Sequence, residues 1–82
     1  MTKSNDKIDF QVKFGNRLES LRIEKDISYR KLAQRCGIDH SNISKIAKGE
    51  INIQLSTVFE LSKALEVHPK ELFDFNIDLD KE

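Results

Sequence analysis

The sequence predicts an all-α domain of five helices, and three features carry that reading. Residues 27–49, ISYRKLAQRCGIDHSNISKIAKG, write one short-helix template twice, with a corner between the copies. On either side of this pair, apolar residues recur at three- and four-residue spacings over stretches long enough for a helix. Finally, 82 residues with 38% hydrophobic content suit one modest core and leave no room for a second domain.

The first helix is expected from about Asp9 to Lys25, with Phe10, Phe14, Leu18 and Leu21 on one stripe and Asp26 at its end. Ahead of it MTKSNDK is polar, so residues 1–8 read as a flexible arm from which Lys3 or Lys7 can reach a minor groove. In the second helix Ser28 is the candidate N-cap, Ile27 and Leu32 are placed as a hydrophobic staple, and Gly37 supplies the stop. The third helix repeats those offsets with Asp39 as cap, Ile38 and Ile43 as staple and Gly49 as stop. Two helices of about two turns thus meet across Gly37-Ile38-Asp39, a helix-turn-helix pattern.

The fourth helix is expected from Gln54 to Leu65, burying Leu55, Val58, Phe59, Leu61 and Leu65. Asn52 and Gln54 before it read either as phosphate contacts or as caps. A fifth helix opens with His68 as cap and Pro69 at the first helical position, Val67 and Leu72 forming a third staple, and runs to Phe73. Residues 9–73 make up the domain.

At 100° per residue the third helix puts Ile43, Ile46 and Ala47 on a buried stripe and turns Ser41, Ser44, Lys45 and Lys48 outward. Hydroxyl and ammonium groups backed by β-branched residues suit an element that packs on a core and lies in a major groove. His40 and Asn42 flank this face with edges that both donate and accept hydrogen bonds. The expected base-reading set is therefore His40, Ser41, Asn42, Ser44 and Lys45.

Net charge is zero but unevenly spread. Residues 1–50 hold 11 Lys+Arg and 7 Asp+Glu, or +4, while residues 51–82 hold 3 and 7, or −4. The basic half contains the paired helices, a polarity that turns one face toward phosphates and the other away. Catalysis has no candidate: no His, Cys and carboxylate set has metal-ligand spacing, and no Ser or Cys elbow lies between His40 and His68. No cofactor is expected. The single cysteine, Cys36, reads as a small buried apolar residue at the end of the second helix. No long apolar run and no secretory signal occur, so the cytoplasm is the expected compartment.

The last stretch changes period. Phe73-Asp74-Phe75-Asn76-Ile77-Asp78-Leu79-Asp80 alternates apolar and polar residues, so the segment 74–82 is either an acidic tail or a strand. A lone strand in a helical domain would pair with the same segment of a second subunit about a two-fold axis. On that reading Leu72, Phe73, Phe75, Ile77 and Leu79 form a dimer interface.

From about Phe14 to Phe73 the chain resembles the Xre/Cro-type helix-turn-helix regulators, which include lambdoid phage repressors and restriction-modification controller proteins. The resemblance rests on Gly15, Arg22, Leu32-Ala33, Gly37, Ile43, Ile46, Gly49, Leu65, Val67 and Leu72 at matching spacings. It implies a repressor-like domain that binds a double-stranded operator as a homodimer and controls transcription by occupying a promoter. Phosphate contacts are then expected from Arg22, Tyr29, Arg30 and Lys48. Two positions depart from the pattern. Tyr29 stands where relatives place a Gln that reaches phosphate, and Ala47 stands where many carry a Glu that pairs with the Arg of the first helix. Arg22 must therefore lean toward solvent and phosphate or find another acid, with Glu50, Glu60 and Glu66 the first to consider. Two rival readings are an antitoxin whose acidic C-terminal segment clamps a partner protein, and a helical adaptor that never touches DNA.

Overall fold

Four α-helices and a closing 3-10 helix follow one another in the computed structural model, which describes residues 4–77. They are α1 (Ser4–Glu24), α2 (Tyr29–Cys36), α3 (His40–Ala47), α4 (Leu55–Leu65) and the 3-10 helix Pro69–Phe73. Each corner is built by local chemistry. The Ser28 side chain accepts from the Lys31 N–H at 3.0 Å and Asp39 from the Ser41 N–H at 3.1 Å, so both predicted caps are in place. Gly37 is left-handed at φ 68°, and its N–H closes α2 on the Ala33 carbonyl. Three further helix ends share one motif in which a residue at positive φ is followed by a bond back to the last turn. Ile27 bonds to the Arg22 carbonyl past Asp26, Glu50 to that of Lys45 past Gly49, and Val67 to that of Ser62 past Glu66.

The core gathers Phe14, Leu18 and Leu21 from α1, Ile27 and Leu32 around the first corner, Ile43, Ile46 and Ala47 from α3, and Val58, Leu61, Ala64 and Leu65 from α4. Leu72 of the 3-10 helix completes it and is fully buried. α1 packs on both α3 and the 3-10 helix, while α2 bridges α3 and α4. No helix among the described residues is long and apolar enough to cross a membrane.

Several expectations change. α1 begins at Ser4, so residues 4–8 are helical and not a free arm; Lys3 lies outside the described residues. The fifth helix is a 3-10 helix, and His68 holds its N-cap position without a side-chain cap bond. Phe10, Leu55 and Phe59, expected in the core, are exposed, because a helix with a wide apolar arc cannot turn all of it inward at once.

The tail differs most. No strand forms among the described residues. Past Phe73 the backbone turns sharply, with the Phe75 N–H donating to the Phe73 carbonyl, and folds back onto α1. There Phe75 meets the Phe10 ring edge-on at 5.6 Å, and Lys13 Nζ donates to the Asn76 carbonyl at 2.9 Å. Over the described residues of the segment, aromatic packing within the domain takes the place of the strand that the alternation suggested. Leu79 lies outside the described residues.

Candidate nucleic-acid interface

α3 is seated by backbone contact as much as by its side chains. Gly15, midway along α1, faces the α3 carbonyls so closely that an added Cβ would stand 2.6 Å from the Ile46 oxygen. At the end of α3, Gly49 at φ 75° lies against Val12, where a Cβ would meet the Val12 Cα at 2.6 Å. At the second of these contacts Gln11 Nε2 donates to the Gly49 carbonyl at 3.1 Å. Bare backbone at both positions lets α3 lie directly on α1, and the Gln11 bond fixes its sliding position.

The side of α3 away from α1 is open. His40, Ser41, Asn42, Lys45 and Lys48 are exposed and Ser44 is half-buried, whereas Ile43, Ile46 and Ala47 are buried. Ser41 is already engaged: its hydroxyl donates to the Asp39 carboxylate, and with the Ser41 N–H it holds that carboxyl below the usual range. Toward a base edge Ser41 therefore presents acceptor lone pairs, while Lys45 and Asn42 keep their donors. Arg30 is exposed on α2. Gln54 takes the N-cap position of α4 without capping it, its side-chain carbonyl accepting instead from the Ser56 hydroxyl at 3.5 Å.

Arg22 and Tyr29 are differently placed. The partner of Arg22 is Glu19, one turn back on α1, and not Glu50, Glu60 or Glu66. Nη2 and Nε of Arg22 donate to Glu19 at 2.6 and 3.3 Å, and Nη1 donates to the Ile27 carbonyl at 2.7 Å. The guanidinium lies 4.2 Å over the Tyr29 ring, and the Tyr29 hydroxyl donates to the same Glu19 carboxylate at 2.6 Å. Bonds from Arg22 first and then Tyr29 outweigh desolvation and lower the Glu19 pKa, while burial and the Glu19 bond raise that of Tyr29. A pair of residues expected on phosphate thus forms one internal cluster at the corner between α1 and α2. Nearby, Arg35 of α2 donates to the Ala64 carbonyl at 2.9 Å and braces the end of α4.

The helix-turn-helix family model matches residues 18–72, from α1 through the 3-10 helix. Over 63 residues the chain is 40% identical to Control protein C.BamHI of Bacillus amyloliquefaciens, covering 76% of this chain and 78% of that one. The chain belongs to the helix-turn-helix family. Among solved structures of this family, the restriction-modification controller protein C.AhdI from Aeromonas hydrophila superposes with a TM-score of 0.75 at 40% identity, covering 77% of this chain and 96% of that chain. A further relative, C.Esp1396I, solved as a tetramer in complex with its natural 35 base-pair operator, gives a TM-score of 0.73 at 25% identity, covering 79% of this chain and 86% of that one. Within this helix-turn-helix frame α2 and α3 stand at the positions of the first and second helices of the motif.

Gln11, Glu19 and Arg35 are the contributors that sequence reasoning missed, while Gly15 entered only as an anchor of the resemblance, with no role given to it. Only Glu19 left a signal, its i,i+3 spacing to Arg22.

Proposed function

We propose that the protein is a sequence-specific DNA-binding transcriptional regulator that acts as a homodimer on a two-fold symmetric operator, as a controller of the restriction-modification kind. The observation that carries this reading is the exposed polar face of α3, held on a short helix whose opposite face is fully committed to the core. Lys45, Asn42, His40, Ser44 and the lone pairs of Ser41 read base edges in the major groove, and Lys48 and Arg30 fix register on phosphates. The operator complex of C.Esp1396I supports the same mode of action.

Two copies join through the apolar surface around the start of α4. Leu55 is 82% exposed and stands beside an open groove of about 350 Å³ lined by Phe10, Phe14, Ile46, Ile51, Ile53 and Phe73. A projecting leucine next to an apolar slot is self-complementary about a two-fold axis. Ile46 reaches this groove from the buried side of α3, so the surface lies behind the reading face, as two recognition helices about 34 Å apart require. Leu72, fully buried in its own domain, takes no part, and Phe73 is the member of the expected set that lines the groove.

Selection of bound sequences from random DNA with the purified protein tests the proposal. A two-fold symmetric motif is expected. An absence of enrichment would favour a protein-interaction role, whether antitoxin or adaptor.

A further inference from the structure

The Glu19 cluster stands at the first residue of α2, where the chain approaches the DNA backbone, and it contains an anion. A phosphate only accepts hydrogen bonds, so it needs the donors that Glu19 already holds. The Tyr29 hydroxyl has one proton, and that proton is given to Glu19. Arg22 gives its Nε/Nη2 edge to the same carboxylate and one Nη1 proton to the Ile27 carbonyl, so three of its roughly five N–H groups are already committed. The two carboxylate oxygens therefore hold donors that a phosphate would need, and they carry the same sign of charge.

We propose that Glu19 is an intramolecular competitor of DNA phosphate, a residue that lowers operator affinity by holding Tyr29 and Arg22 in a closed clamp. The inference rests on the DNA-binding reading above. Its physical basis is the local geometry: Glu19 stands one turn before Arg22 on α1, and the guanidinium lies over the Tyr29 ring, so one carboxylate holds both donors. Without the clamp, Tyr29 and Arg22 become phosphate donors. Affinity then rises as they bind phosphate oxygens, and each phosphate neutralised releases counterions.

Three variants in operator titrations at several salt concentrations test this, using the operator obtained by selection. Glu19→Gln is expected to bind at least about threefold more tightly, with a log–log salt slope steeper by roughly 0.9 for each additional phosphate bound. Glu19→Asp keeps the net charge but is one methylene too short to span both partners, and it is also expected to tighten binding. Glu24→Gln, on the exposed end of α1, removes the same charge outside the cluster and is the control. Equal tightening by Glu19→Gln and Glu24→Gln, with none by Glu19→Asp, would reduce the effect to net charge and overturn the proposal. Weaker binding by both Glu19 variants, with thermal unfolding unchanged, would show that Glu19 positions Tyr29 for phosphate, and would overturn it too. Failure of the wild-type protein to select any DNA sequence would remove the DNA-binding reading itself, an outcome distinct from either.

Discussion

Gly15 of α1 and Ala47 of α3 touch backbone to backbone, so α3 rests on its neighbour with no side chain between them. Adding one carbon there must push α3 outward, because the atoms it meets are carbonyl oxygens that cannot rotate away. Gly15→Ala is expected to destabilise the domain. Overpacking costs about 1–3 kcal/mol, and the improvement in helix propensity, about 1 kcal/mol, offsets only part of it. Urea denaturation measures the loss, and a variant as stable as the wild type would mean that the contact is loose.

On the proposed DNA-binding reading, Lys45 and Lys48 should separate base reading from phosphate binding. Lys45→Ala should relax preference at one base position in each half-site, since such a contact is worth roughly 1–3 kcal/mol of discrimination. Lys48→Ala should weaken all sequences alike and make the salt slope shallower by roughly one per subunit. Binding to a panel of single-base operator variants distinguishes the two, and identical profiles would undo this division of the α3 surface.

At 82% exposure in the single chain, Leu55 contributes little to the fold by itself. Leu55→Asp should therefore leave domain stability within about 0.5 kcal/mol while weakening self-association more than about tenfold. Sedimentation equilibrium reports the second quantity. Dimers of undiminished strength would place the joining surface elsewhere.

Ala47→Glu supplies the acid that the family resemblance leads one to expect on α3, but Arg22 is already paired. With Glu19 present, the new carboxylate enters a site only 8% exposed and lacks a free partner, so the variant should lose about 1–3 kcal/mol. In a Glu19→Gln background it should lose less, because the guanidinium can change partners. Thermal unfolding of the four proteins closes the double-mutant cycle, and additive effects would mean that residues 19 and 47 do not compete for Arg22.

Glu19 also makes stability depend on acid. Its folded pKa lies below the unfolded value, so its contribution is present above the ordinary glutamate range and is lost as pH falls through the folded pKa. Its side chain is one-third exposed, so solvent screening keeps the contribution small. Glu19→Gln should narrow the difference in melting temperature between about pH 7 and pH 3. An unchanged difference would show that the pair with Arg22 adds nothing to folding.

The two helices of the reading unit are legible from local chemistry alone. Ser28, Asp39, Gly37 and Gly49 act within one turn of their own positions, and such effects need no knowledge of the rest of the chain. The ends of α1 and α4 are harder to see, since Asp26 and Glu66 take the left-handed conformation usually left to glycine. Periodicity places Leu55 and Phe59 inside because it finds the apolar arc of a helix but not which edge of the arc a neighbour covers. The tail reads as a strand for a similar reason. Alternation says nothing about Phe10, 65 residues earlier, whose ring Phe75 meets. Arg22 escapes sequence reasoning because the resemblance directs attention to α3, when an acid stands three residues back on the same helix.

α1 is the strut between the two working surfaces of the molecule. Its residues 11, 12 and 15 seat α3, and Phe10 and Phe14 line the groove proposed to receive a second copy. On that reading the distance between paired α3 helices is set through one continuous helix, Ser4–Glu24. Half-site spacing becomes a property of how α1 is packed, and a lineage of such proteins can retune it by repacking that helix, leaving the residues that read bases and those that join subunits unaltered.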